Sequence, residues 1–257
     1  MQKITRRNML ATSTGLAGAL AAGLPLLGQE TGPGLPQTSR KLKVVVAGAH
    51  PDAPESGCGG TIARYSDLGH EVVIIYLTRG EVGIDGKSPK EAAEIRTAEC
   101  QKACGILNAR PIFAGQIDGS TEVNGARYDQ FHKILESEKP SVLFTHWPID
   151  THPDHRAVSL LTYDYWLRSG REVALFYFEV DEGSQTQNFS PTHYVNITQT
   201  EGRKRAACFA HVSQQPETTF YPLHDRMNQF RGMEYGTRVA EAFVRHCQDP
   251  GPAVPGL

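Results

Sequence analysis

Lys43-Val44-Val45-Val46-Ala47-Gly48-Ala49-His50-Pro51-Asp52 is an unbroken apolar run that ends abruptly in an imidazole, a proline and a carboxylate. A strand so continuous in valine is one covered on both faces, as in a parallel sheet between helices. Much later, Val142-Leu143-Phe144 leads through Thr145-His146-Trp147 to His152-Pro153-Asp154-His155. In open α/β sheets, ligands bind beyond the carboxyl ends of the strands. Two such loops meeting there would make a metal site with its own base, the arrangement of a zinc-type hydrolase.

Working outward, apolar runs alternate with segments of helical period. The pattern predicts helices at 59–68, 88–107, 128–138 and 155–167, with Ser88 as N-cap and Pro89 in the first turn of the second. Strands are expected at 43–49, 71–78, 111–114, 141–145, 173–180 and 194–197, then helical segments at 200–211 and 238–247. The polar, aromatic stretch 220–235 reads as a surface helix. The alternation predicts an α/β fold: a Rossmann-like doubly wound, mostly parallel sheet with helices on both faces. A dinucleotide site would want Gly-x-Gly-x-x-Gly after the first strand, and His50-Pro51-Asp52 puts bulky polar groups there instead.

The chain has 257 residues and a formal net charge of -2, which suits one globular domain and offers no basic field for nucleic acid. Five cysteines, an odd number without metal-knuckle spacing, do not form a disulfide framework, and Cys100 and Cys104 read as buried packing. Residues 1–40 read as targeting sequence. Thr5-Arg6-Arg7-Asn8-Met9-Leu10 precedes a mild Ala/Gly-rich stretch, a twin-arginine export signal rather than a membrane anchor, and a Gly/Pro/Ser linker follows. The expected destination is periplasmic or extracellular, with the twin-arginine machinery as a partner and no stable membrane span after processing. The catalytic domain is expected at 41–250, with a tail at 251–257.

The residue types specify the chemistry. Imidazole is a good ligand for zinc or another divalent transition metal, and an adjacent carboxylate can take a proton from metal-bound water. His50 and Asp52 fit those parts, with strand-end and helix caps as their structural alternative. In the second motif, one histidine can bind metal while the other faces substrate. Asp154 can hydrogen-bond an imidazole, fix its tautomer and raise its pKa.

These segments resemble the PIG-L/LmbE family of zinc-dependent de-N-acetylases. The likeness rests on Ala49-His50-Pro51-Asp52, Gly59-Gly60-Thr61-Ile62-Ala63, Leu77-Thr78-Arg79-Gly80-Glu81, Arg96-Thr97-Ala98-Glu99 and His152-Pro153-Asp154-His155. It implies hydrolysis of an N-acetyl group on an N-acetylglucosamine-type sugar or glycoconjugate. It implies His50 and His155 as zinc ligands, Asp52 as general base, and His152, oriented by Asp154, as electrostatic stabiliser or acid. Arg96 would lie near the substrate, or else be a helix-surface charge paired with Glu99.

One position departs from the pattern. The resemblance implies a third, carboxylate ligand directly after Asp52, where this chain has Ala53. Glu55 is the nearest replacement ligand. The other readings are Asp52 turned to the metal and an inactive carbohydrate-binding protein on the same scaffold.

Overall fold

The computed structural model describes residues 41–246. The expected export signal and linker at 1–40 and the expected tail at 251–257 lie outside them. The strands are β1 (Lys43–Gly48), β2 (Glu71–Tyr76), β3 (Arg110–Phe113), β4 (Val142–His146), β5 (Ala174–Phe178), β6 (His193–Asn196) and β7 (Ala240–Arg245). The helices are α1 (Ala53–Asp67), α2 (Pro89–Leu107), α3 (Gly125–Glu138), α4 (Pro153–Arg168), α5 (Glu201–Phe209) and α6 (Tyr221–Tyr235). Among the described residues, no helix is long and apolar enough to cross a membrane.

The strands form one sheet in the order β3-β2-β1-β4-β5-β7-β6. β1 pairs in parallel with both β2 and β4, so the chain reverses its direction of winding beside β1. That switch point is where a doubly wound sheet opens a crevice. Pleating sends Val44 and Val46 into one core with Cys58, Ile62 and Cys100, and Val45 and Ala47 into another with Phe131, Leu161 and Trp166. Both faces are therefore covered, which is why β1 carries no polar alternation.

Two expectations need correction. Helix α1 begins at Ala53, directly after the first motif, and not at 59. Within it, a Cβ at Gly60 would lie 2.6 Å from Ile197 Cγ2, so glycine here allows close packing. Segment 240–245 was expected to be helical and is strand β7, antiparallel to β5 and β6. Its Ala and Glu favour helix only weakly, and tertiary pairing overrides them. Within β7, Glu241 meets Lys204 Nζ at 2.7 Å, both side chains only 1% exposed. The same carboxylate accepts the backbone N–H groups of Gly60 and Thr61, at 2.9 and 2.7 Å, and so ties α1 to the sheet.

Replacing Glu241 by Ala would leave Lys204 buried without its counter-charge. Such a break costs about 3–5 kcal/mol, and urea denaturation of Glu241→Ala should show a loss of that order.

Candidate metal centre

The first motif leaves the end of β1 under tension. Asp52, the residue before α1, has φ 113°, a conformation that non-glycine residues rarely hold. Its N–H donates to Glu55 Oε2 at 3.2 Å, and its Oδ2 accepts from Arg96 Nη2 at 2.9 Å. The same guanidinium nitrogen donates to the Pro51 carbonyl. Arg96 is buried and pressed against the loop after β2, where a Cβ at Gly80 would collide with it 2.3 Å from Nη1. It is thus a clamp on Asp52, although it also borders the cavity described below. The expected pairing with Glu99 is not made, because Glu99 accepts from the N–H and Oγ of Ser213, each at 2.7 Å.

The second motif opens α4 at the end of β4. His50 Nε2 lies 3.0 Å from both Asp118 Oδ1 and Asp154 Oδ2. Burial opposes a charge on His50, but the two carboxylates outweigh it and hold the pKa up at about 9. Asp154 also accepts the Gly119 N–H at 2.8 Å and the Thr121 hydroxyl at 2.6 Å. Burial works against its ionisation, yet His50, Thr121 and Gly119 together keep it well below the usual carboxylate range. His155 Nδ1 lies 3.2 Å from Asp150 Oδ1. Asp150 in turn accepts the His152 N–H at 2.8 Å and the Thr186 hydroxyl at 3.1 Å.

His152 is held differently. Its Nδ1 accepts the Asp154 backbone N–H at 3.2 Å, and the Asp154 carboxylate is committed to His50. The Asp154 charge still acts to raise His152, but it is outweighed. Burial, followed by the neighbouring His50 and His155, pushes His152 down to about 4. A neutral ring accepting at Nδ1 carries its proton on Nε2. His146, fully buried on β4, accepts the Ala49 N–H at 3.3 Å and stacks on His155 with centroids 4.0 Å apart.

His50, His152 and His155 each offer a nitrogen, and the three lie within 4.8 Å of one another. Two of them are also set up as ligands. A carboxylate faces Nε2 of His50 and another lies 3.2 Å from Nδ1 of His155, so each ring, when neutral with its proton on that side, presents the opposite nitrogen's lone pair. Carboxylate–histidine pairs of this kind back metal ligands. The donor set fits a divalent cation bound by His50 and His155, with His152 alongside as an N–H donor. Ala53 borders the same cavity and offers only a methyl group. Glu55 does not replace the missing carboxylate. It is fully buried, accepting from the Tyr76 hydroxyl at 2.7 Å and lying 3.1 Å from His211 Nε2.

These groups surround a cavity of about 320 Å³ that takes in His50, Asp52, Ala53, Arg96, Asp118, His152 and His155. Asp181 and His224 face it from the far side. Asp118, Asp150 and Asp181 went unread in the sequence because each is a lone aspartate in a loop. Their one shared signal is position, shortly after strands β3, β4 and β5.

The comparisons agree with this geometry. Residues 45–166 match the PIG-L family model, described as GlcNAc-PI de-N-acetylase. The chain is 30% identical over 217 residues to the diacetylchitobiose deacetylase of Thermococcus kodakarensis, covering 77% of this chain and 81% of that one. It is 28% identical over 217 residues to the 1D-myo-inositol 2-acetamido-2-deoxy-alpha-D-glucopyranoside deacetylase of Rhodococcus erythropolis, covering 72% and 70%. Among solved structures, the N,N'-diacetylchitobiose deacetylase of Pyrococcus horikoshii superposes with a TM-score of 0.71 at 25% identity, over 79% of this chain and 83% of that one.

In metal-free protein, His50 has a folded pKa raised from 6.5 to about 9. Its charged form therefore stabilises the fold fully below about pH 6.5, and that contribution is lost as pH rises through about 9. Thermal midpoints of the metal-free protein should fall across this window. In Asp118→Asn, NMR titration should find the His50 ring at a lower pKa.

Proposed function

We propose, from the premise that this chain belongs to the PIG-L/LmbE family of de-N-acetylases, that it is a zinc-dependent hydrolase removing the acetyl group from an N-acetylglucosamine-type sugar or glycoconjugate. The observation that supports this most is the pair of carboxylate-backed imidazoles, His50 and His155, sharing one cavity with the exposed edge of Asp52. A divalent cation held by those imidazoles supplies Lewis acidity and lowers the pKa of bound water.

The chain's own groups divide the remaining work. Arg96 fixes the Asp52 carboxylate at the cavity wall, where it takes a proton from the attacking water. The water oxygen bonds to the acetyl carbon, and the neutral His152 Nε2–H donates to the oxygen on which charge develops. The carbon–nitrogen bond then breaks as Asp52 returns the proton to nitrogen, giving acetate and a free amine. With its pKa pushed down to about 4, His152 holds no extra proton to give at neutral pH, so it acts as a hydrogen-bond donor.

Ala53 favours a second reading, a carbohydrate-binding protein with little or no catalysis. The two are separated by metal analysis and acetate release on a panel of N-acetylated amino sugars. Adding the absent carboxylate in Ala53→Asp should raise zinc affinity about 10–100-fold, the typical scale for losing one supporting partner. Asp52→Asn in that background should lower acetate release by about 10²-fold or more with zinc retained. Zinc bound by the unaltered chain without any acetate release would leave the binding reading. His152→Gln should keep zinc and lose activity.

Residues 1–40 are proposed to direct export by the twin-arginine route, on the strength of Arg6-Arg7 and the weakly apolar stretch after them. Expressed in a bacterium with that route, the full chain should appear outside the cytoplasm, and replacing both arginines by lysine should retain it inside.

A further inference from the structure

The far wall of the cavity contains a carboxylate that the reaction does not use. Asp181 follows β5 with φ 42°, the left-handed conformation, and its carbonyl accepts the N–H groups of Ser184 and Gln185 at 2.9 and 2.8 Å. Its Oδ1 is shut off from solvent and receives no hydrogen bond among the described residues. His224 Nε2 lies 3.3 Å from that oxygen. The nitrogen gives it nothing, because it already accepts the Asp181 backbone N–H at 3.4 Å. Burial, then the nearby charge of Lys204, hold His224 well below its ordinary pKa, so the ring is neutral with its proton on Nδ1. That oxygen is sealed away, but the Asp181 side chain is 18% exposed and borders the cavity by its remaining edge, on a backbone whose strain persists where a site requires it.

The surroundings suggest what it serves. Gln185 and Phe220 stand on the same wall, beside Asp181 and His224. A carboxylate, a primary amide and an aromatic ring together suit a pyranose: hydroxyls donate to the carboxylate in charge-assisted bonds, and the ring covers the apolar C–H face. The wall is also unfit for anions. Asp52, Asp118 and Asp181 line the cavity, and its single Arg or Lys, Arg96, has its charge balanced by Asp52 through Nη2. All the far-wall residues fall outside the segment matched by the family model, 45–166. Recognition is thereby separated in the chain from the chemistry.

We propose that Asp181, with Gln185 and Phe220, forms a subsite for the hydroxyls of an uncharged sugar ring, selecting neutral glycans over sugars bearing a phosphate. The proposal deepens the de-N-acetylase reading and rests on it.

Calorimetric titration of the zinc-loaded protein with N-acetylglucosamine, and with its 1- and 6-phosphates, tests it. The neutral sugar should bind at least tenfold tighter than either phosphate. Asp181→Asn, which keeps a residue tolerant of positive φ, should weaken neutral-sugar binding about tenfold and narrow the discrimination, with an unchanged thermal midpoint. Gln185→Ala should weaken it in the same direction. In the Ala53→Asp background, Asp181→Asn should raise KM with kcat nearly unchanged, a split that a general loss of structure would not give. Affinities within twofold in both variants, or phosphates binding as well as the neutral sugar, would overturn the subsite while leaving the deacetylase reading intact. Absence of both sugar binding and acetate release, in this chain and in Ala53→Asp, would overturn both.

Discussion

A buried carboxylate survives only with charge or hydrogen-bond donors around it, and Asp154 meets that demand by drawing together segments far apart in the chain. It holds His50 from 104 residues away, and it also takes the Gly119 N–H and the Thr121 hydroxyl. One side chain thus joins the end of β1, the loop after β3 and the start of α4. The orientation of His50 follows from it, and Asp118 meets the same ring nitrogen. Asp150 does the same for His155 and reaches the loop after β5 through Thr186. The site is rigid because its acids cannot be buried in any looser arrangement.

Much of this was legible before any coordinates. The two His-Pro-Asp segments, the valine-rich first strand and the alternation of elements specify a doubly wound sheet and the crevice at its switch point. What escaped is what tertiary packing alone creates. Asp118 and Asp150 have no spacing that distinguishes them from ordinary loop aspartates. β7 resembled a helix because its Ala and Glu suit one, and only the pairing with β5 and β6 and the partnership of Glu241 with Lys204 make it a strand. Glu55 had the right chemistry at the right sequence distance, yet Tyr76 and His211 lie on the side it faces.

Arg96 shows how a residue can be recognised while its work is misread. Its place near the substrate was implied by resemblance, and it does border the cavity. Its Nη2, however, is turned to Pro51 and Asp52. The strained turn at Asp52 and the buried guanidinium require each other: without the arginine, the aspartate has no reason to keep φ 113°. A motif residue beside a cavity can therefore act on a neighbouring carboxylate and not on the ligand.

The four described cysteines, Cys58, Cys100, Cys104 and Cys208, are free thiols sealed inside the two-sided core. Cys100 and Cys104 stand one helical turn apart on α2; the Cys104 contact and then burial hold the Cys100 thiol far above the ordinary range, and burial does the same for Cys208. Folded, they present almost no thiolate to an oxidant. Unfolded in an oxidising environment, the same side chains would scramble into disulfides that the native sheet cannot accommodate. Denaturation there would be a one-way event, so the working lifetime of this protein would be governed by its rate of unfolding and not by its equilibrium stability.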